Sequence, residues 1–226
     1  MNKDIEKKYF KDKLSKNNPI IFDIGAFDGN DCLEFLTIFD NPVIYAFEGD
    51  DRSINLFKKH VKDAPIILIE TLLTDVDGFV DFYKSDSDTR RHGRYEFDET
   101  CWSSSSSIKK PKNHLNIFPD VDFFEATKVT SQRLDTWIQD KDIELIDIMW
   151  VDINGGEAEF LEGALDTINT KVKYLYVEFN GVDEKRLYDN CFTKDDIKQT
   201  LPIFEELGVF NFMGNFGNVL LKNTKV

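Results

Sequence analysis

Apolar positions along the chain fall into short continuous runs that alternate with helical spacing, the pattern of a parallel sheet covered on both faces. The first run, residues 20–24, holds four apolar residues and one carboxylate between Pro19 and Gly25, and reads as a buried strand. Residues 31–39 then carry Leu33, Phe35, Leu36 and Phe39 at helical spacing. A second strand follows at 42–47, a helix at 51–61 ended by Pro65, and a third strand at 65–70. Asp75 to Gly78 is a turn, and 79–83 alternates as one strand of a hairpin. The rhythm breaks over 84–126, which holds charged clusters, two prolines, Trp102 and a run of five serines from Ser103 to Ser107. A segment of this length without clear periodicity is either a flexible linker or a functional insertion. Its aromatic content (Tyr95, Phe97, Trp102, Phe118, Phe123, Phe124) favours an ordered insertion facing a substrate.

Regular alternation resumes with a short strand at 127–130 and a helix around 132–139. Residues 145–151 give the fourth core strand, ending at Asp152. Gly155-Gly156 turns into a helix over 157–168, and 172–179 gives the fifth strand. Thr193 has the character of an N-cap with Asp196 three positions on, for a helix to about residue 207 that Pro202 kinks or breaks. Residues 209–213 and 216–222 close the chain as a hairpin around Gly214. A polar helix at 4–14, with Tyr9, Phe10 and Leu14 as docking residues, precedes the first strand. The whole predicts one α/β domain over 1–226, doubly wound and mostly parallel, with a C-terminal antiparallel hairpin and an 84–126 insertion over the acceptor site.

Composition narrows the function. At 226 residues, 41% hydrophobic and 31% charged, the chain reads as a soluble globular domain. No apolar run nears the ~20 residues that cross a bilayer, and the charged first sixteen residues lack the apolar core of a signal peptide. Cys32, Cys101 and Cys191 form no paired spacing, as expected of thiols in a reducing cytoplasm. A net charge of −14 argues against nucleic acid as a partner. The oligomeric state is left open.

The first strand runs into a glycine turn and a helix, the opening of a nucleotide-binding unit. The turn is Gly25-x-x-x-Gly29, with Phe27 where a dinucleotide fold needs its second glycine. It also holds Asp23 and Asp28, which repel a diphosphate but suit an ammonium and a sulfonium. S-adenosylmethionine is therefore the expected cofactor, and a dehydrogenase is disfavoured.

Four blocks in order carry a family resemblance: FDIGAFDG (22–29); YAFE (45–48); LLTDVDG (72–78) with SSI (106–108); and Leu134-Asp135 followed by IDIMWVDINGGE (146–157) and FLEGA (160–164). Together these resemble an FkbM-type methyltransferase over about residues 20–221. Gly49 stands where the family often has proline, and Asn154 where a glutamate is common. The resemblance implies a class I, Rossmann-like methyltransferase fold and O-methyl transfer, often to sugars or to glycosylated and polyketide products. The alternatives are a non-sugar small molecule, a protein side chain, or a cofactor-binding module without catalysis.

Cofactor contacts are expected from Asp23, Gly25, Ala26, Asp28 and Gly29 in the first turn. Asp23 either orders the turn and the methionine ammonium or only caps the next helix. Glu48 and Gly49 end strand two, where a carboxylate about 20 residues past the glycine turn accepts the ribose hydroxyls. Thr74 and Asp75, in the 71–75 loop, border the adenine. Asp152 ends strand four at the centre of the sheet, as general base and part of the cofactor site or as a simple helix cap. Glu178 joins it as a catalytic candidate. Glu178 and Asn180, two apart at the end of strand five, form an all-oxygen set with Asp152 that suits Mg²⁺ or else binds substrate with no metal. No metal is the favoured reading. Trp102, Ser106, Ser107, Asn154 and Asn180 are the substrate candidates. His60, His92 and His114 are assigned to surfaces or loops, with His92 and His114 able to reach the site from the insertion. Arg90, Arg91, Arg94 and the Lys109 to Lys112 run are basic patches in that insertion; they are solvated or else serve an anionic or nucleotide-linked sugar.

Overall fold

A computed structural model describes residues 9–11, 13–14, 17–87, 103–181, 186–213 and 216–226. Five strands run parallel in the main sheet: β1 (Ile20–Ile24), β2 (Val43–Glu48), β3 (Ile66–Glu70), β9 (Ile146–Val151) and β10 (Val172–Phe179). Two antiparallel strands close one side, β11 (Phe204–Met213) and β12 (Phe216–Asn223). The spatial order is β11-β12-β10-β9-β1-β2-β3. Strand order reverses between β1 and β9, and in open α/β sheets the crevice at such a point, outside the carboxyl ends of the strands, takes the ligand.

Alternation along β1 divides the core. Phe22 and Ile24 join one buried cluster with Met149, Phe160 and Leu175, whereas Ile21 joins the other with Cys32, Phe35 and Trp150. That second cluster lies under α1 (Asn30–Ile38) and takes Phe10 and Leu14 from the N-terminal segment. Helix α2 (Asp51–Val61) starts on Asp50, whose carboxylate accepts the Arg52 N–H at 3.0 Å. Among the described residues of the N-terminal segment, Tyr9, Phe10, Lys11 and Lys13 are helical.

The hairpin expected at 79–83 is replaced by a longer-range pairing. Strand β5 (Gly78–Phe82) runs antiparallel to β8 (Thr127–Gln132), which also pairs with β4 (Leu72–Leu73), so the 84–126 segment is an excursion between two bonded strands. Within it lie β6 (Ser85–Ser87), a 3₁₀ turn over Ser103–Ser105, α3 (His114–Ile117) and β7 (Val121–Phe123). The expected helix at 132–139 is a short α4 (Leu134–Trp137) with a 3₁₀ turn over Ile138–Asp140. The helix expected over 157–168 is two pieces, α5 (Glu157–Gly163) and α6 (Leu165–Lys171), meeting at Ala164. Gly163 permits this: a Cβ there would sit 1.9 Å from the Thr74 carbonyl oxygen, so the α5 end seats directly on the loop after β4. Helix α7 (Lys194–Thr200) carries the expected Thr193–Asp196 capping box, then stops well short of residue 207. Pro202 cannot continue it, and β11 starts at Phe204.

Candidate active site

A cavity of about 370 Å³ opens over the carboxyl ends of β1, β2 and β9, in the size range of small-ligand sites. Its floor is the first glycine turn. The Gly25 and Ala26 N–H groups both donate to the Phe47 carbonyl at 3.0 Å, so the turn folds back over β2. Gly25 has φ +88°, and a Cβ there would lie 2.1 Å from the Asp152 carbonyl oxygen. Only glycine permits the β1 and β9 ends to approach so closely. Gly29 takes the N-cap position of α1 with φ +81° and does not line the cavity.

Glu48 ties the floor together. One carboxylate oxygen accepts the Phe27 N–H at 2.9 Å, and the other accepts the N–H groups of Gly49 and Asp50, both at 2.8 Å. Burial pushes its carboxyl up to about 7, outweighing these three bonds, each of which favours the anion. Asp28 also lines the cavity; it accepts the Asn30 N–H at 3.1 Å and the Asn30 side-chain amide at 2.6 Å, and burial raises its carboxyl too. Asp23 does not line the cavity. It points to the α1 side of the sheet, where Cys32 Sγ donates to it at 3.0 Å.

The far wall is residues 71–74. Thr74 shares a 2.5 Å hydrogen bond with Ser131, and Asp75 stands outside the lining. Overhead, the serine run is tied down on both sides. Ser106 donates to Asp50 at 3.1 Å, and Asp50 holds Arg52 at 2.6 Å. Arg52 in turn donates to the Ser85 carbonyl at 2.8 Å, and the Ser53 and Ser103 hydroxyls are 2.8 Å apart. On the β9 side, the Asn154 amide donates to the Ser104 carbonyl at 3.0 Å, Ser107 donates to the Asn154 carbonyl at 2.7 Å, and the Tyr188 hydroxyl donates to the Ser105 carbonyl at 2.7 Å. Ser106 and Asn154 line the cavity; Ser107 supports it from behind. Trp102, His92, Arg90, Arg91 and Arg94 lie outside the described residues. Lys109 pairs with Glu159, and none of Lys109, Lys110 and Lys112 lines the cavity. His60 sits 3.7 Å from Asp28, and His114 is buried among Phe118, Phe123 and Tyr188, burial holding its imidazole down to about 4.

Asp152 lines the cavity at its β9 end, its N–H donating to the Ile24 carbonyl at 3.1 Å. Glu178 on β10 and Asn180 just past its end stand one strand away from Asp152 and are not part of the lining. Among the described residues, no group of three His, Cys, Asp or Glu side chains is placed to hold a metal ion.

Glu157 has no role in the sequence reading. It is fully buried at the start of α5, where one oxygen accepts the N–H groups of Ile153 and Gly155 at 3.3 and 3.2 Å and the other has no partner. It thus fixes the 152–156 loop, in which Asn154 and Gly155 both have positive φ. The available signal was a carboxylate directly after Gly155-Gly156. Burial, with Asp152 as a lesser cause, pushes Glu157 up to about 7. A carboxyl raised this way keeps its proton in the folded chain after the unfolded chain has lost it. The resulting stability is full below about pH 4.5 and is lost as pH rises towards about 7. Glu157→Gln is therefore expected to match the wild type in melting temperature at about pH 5. By pH 8 it should exceed it by up to ~3 kcal/mol in stability. Parallel melting curves that never diverge would show Glu157 ionised throughout.

Among the described residues, six carboxylates line the cavity (Asp28, Asp31, Glu34, Glu48, Asp50 and Asp152) and no Lys, Arg or His does. Asp31 and Glu34, on the first turns of α1, were not anticipated. An acidic cradle with a glycine floor fits a ligand bearing an ammonium and a sulfonium and is hostile to a diphosphate.

The comparisons agree. Residues 23–209 match the methyltransferase FkbM domain. The chain is 33% identical over 214 residues to the 2-O-methyltransferase NoeI of Sinorhizobium fredii, covering 94% of this chain and 83% of that protein. In fold it resembles an S-adenosylmethionine-dependent methyltransferase from Aquifex aeolicus (TM-score 0.51, 10% identity, 96% of this chain and 89% of that one). It likewise resembles the METTL16 methyltransferase domain (TM-score 0.54, 11% identity, 100% and 67%). The sheet, with its parallel core and antiparallel closing strands, has the class I methyltransferase architecture. The chain belongs to the FkbM methyltransferase family and is an S-adenosylmethionine-dependent methyltransferase.

Proposed function

We propose that the chain methylates a hydroxyl oxygen of a sugar. The observation that carries this reading is the position of Asp152, a carboxylate at the switch point where the cofactor cradle meets the far end of the cavity. The 2-O-methyltransferase relative supports oxygen as the atom methylated, and the family resemblance supports a sugar as its source.

The cofactor fits the residues present: the Gly25 turn admits close backbone approach, and in this reading the cavity-lining Glu48 takes the ribose hydroxyls and residues 71–74 border the base. When bound, S-adenosylmethionine supplies a sulfonium-activated methyl group, whose transfer to a hydroxyl oxygen leaves a neutral thioether and frees one proton. Asp152 takes that proton as general base. Asp28, Asp31 and Glu34 balance positive charge at the floor, and the Ser103–Ser106 segment, held through Asp50 and Asn154, covers one side of the cavity. Orientation by these groups supplies the larger part of the rate gain.

The test is incubation with methyl-labelled S-adenosylmethionine and three acceptor sets: methyl glycosides of common hexoses and 6-deoxyhexoses, simple phenols, and a protein mixture. Label is expected in a glycoside as an alkali-stable ether. Label confined to phenols or protein contradicts the sugar reading, and no label in any acceptor points to a binding module.

A further inference from the structure

From Asp152 outward, the strand register lines up further polar side chains. β9 and β10 set Trp150 beside Tyr176, and the two rings stack with centroids 3.8 Å apart and planes 11° off parallel, so both point to one face. Two residues further on, that same face carries Asp152 and Glu178. β12 runs antiparallel to β10 and pairs Asn218 directly with Glu178. Asp152, Glu178 and Asn218 therefore stand in a row across three adjacent strands, which are about 4.8 Å apart. Tyr188 is within electrostatic reach of both carboxylates. Its hydroxyl is pushed well above its ordinary value, first by burial and then by Glu178, Cys191, Glu157 and Asp152.

Packing does not account for the inner end of this row. Asn218 is 6% exposed beside Phe210, its partner on β11, yet its amide oxygen is buried with no hydrogen-bond partner. Asn180, just past the end of β10 and 2% exposed, leaves its amide oxygen in the same condition. Buried acceptors left unpaired are costly and uncommon. Two at the end of one strand pair call for donors from outside the chain. Asp152 and Glu178 are only half-buried, so a ligand reaches the row from their end and Asn218 closes it. Carboxylates and amide oxygens in a line suit a ligand that offers hydroxyl donors at successive positions.

We infer that Asp152, Glu178 and Asn218 form a rail that binds neighbouring hydroxyls of one polyol ring. Asp152 faces the hydroxyl to be methylated, and Glu178 with the Asn218 amide oxygen holds the hydroxyl beside it. The inference rests on the sugar reading above and makes it narrower: the acceptor carries vicinal hydroxyls, and a monohydroxylated compound does not fill the rail.

The experiment takes a methyl glycoside that the wild type methylates and its deoxy analogue lacking the adjacent hydroxyl. The wild type is expected to prefer the full glycoside by on the order of a hundred-fold in kcat/KM. Asn218→Ala should cut that preference roughly ten-fold through KM, with S-adenosylhomocysteine affinity unchanged. Asn218→Asp, which keeps an acceptor oxygen, should retain it. Affinity for S-adenosylhomocysteine certifies each variant as folded, and Asn218→Ser replaces the alanine variant should that one fail the check. A folded Asn218→Ala or Asn218→Ser with undiminished preference overturns the rail, as does a wild type that methylates both glycosides equally. A wild type that methylates no glycoside overturns the sugar reading, and the rail with it.

Discussion

Gly25→Ala is expected to destabilise the fold by ~3 kcal/mol or more and to remove measurable S-adenosylhomocysteine binding. Two costs combine at this position. A φ of +88° strains any residue with a Cβ, and the added carbon would lie 2.1 Å from the Asp152 carbonyl oxygen and 2.9 Å from the Ile153 side chain. The first obstacle is backbone of the β9 end, so no side-chain rotation relieves it. The chain must either unfold or part β1 from β9, and parting them opens the floor of the cavity. Gly78→Ala is the matched control. Gly78 also has positive φ, at +140°, but its Cβ would meet nothing within 4 Å, so only backbone strain is paid and binding should survive. Chemical denaturation and calorimetric titration of both variants read the two costs separately. Equal losses in the two would mean that the close approach at Gly25 is dispensable.

Asp152→Asn is expected to lower kcat by roughly 10³-fold while S-adenosylhomocysteine affinity stays within a few-fold of wild type. The amide keeps the size of the carboxyl and leaves the Asp152 N–H on the Ile24 carbonyl, so the β1–β9 junction is undisturbed. What it removes is the capacity to accept the hydroxyl proton. Loss of binding in step with turnover would make Asp152 part of the cradle alone. Unchanged turnover would remove it from the chemistry, leaving Glu178 as the other catalytic candidate.

The parallel core was legible because each strand is a mainly apolar run bounded by glycine, proline or a carboxylate; β10 was read to both its ends, and the Thr193–Asp196 cap is local chemistry that sequence spacing exposes directly. The β5–β8 pairing was not legible, since it joins residues about fifty positions apart and neither strand carries a signal naming its partner. Alternation in β1 showed that Phe22 and Asp23 point oppositely, but not that the Asp23 carboxylate is taken up by Cys32 and stays out of the cavity lining. Glu48 and Asp152 were found because strand ends in such sheets lie beside the ligand. Glu157 was missed because its role, bonding the backbone of the loop that precedes it, exists only once that loop has folded. The serine run shows the same limit. Its composition fits a flexible linker as well as a roof, and only Asp50, Asn154 and Tyr188, all distant in sequence, decide between them.

The account depends on an acidic cradle selecting a cationic methyl donor over a dinucleotide. Titration calorimetry of the purified chain with S-adenosylhomocysteine and, separately, with NAD tests this most directly. One S-adenosylhomocysteine should bind per chain, with no heat from NAD; saturable NAD binding with none for S-adenosylhomocysteine would contradict the account.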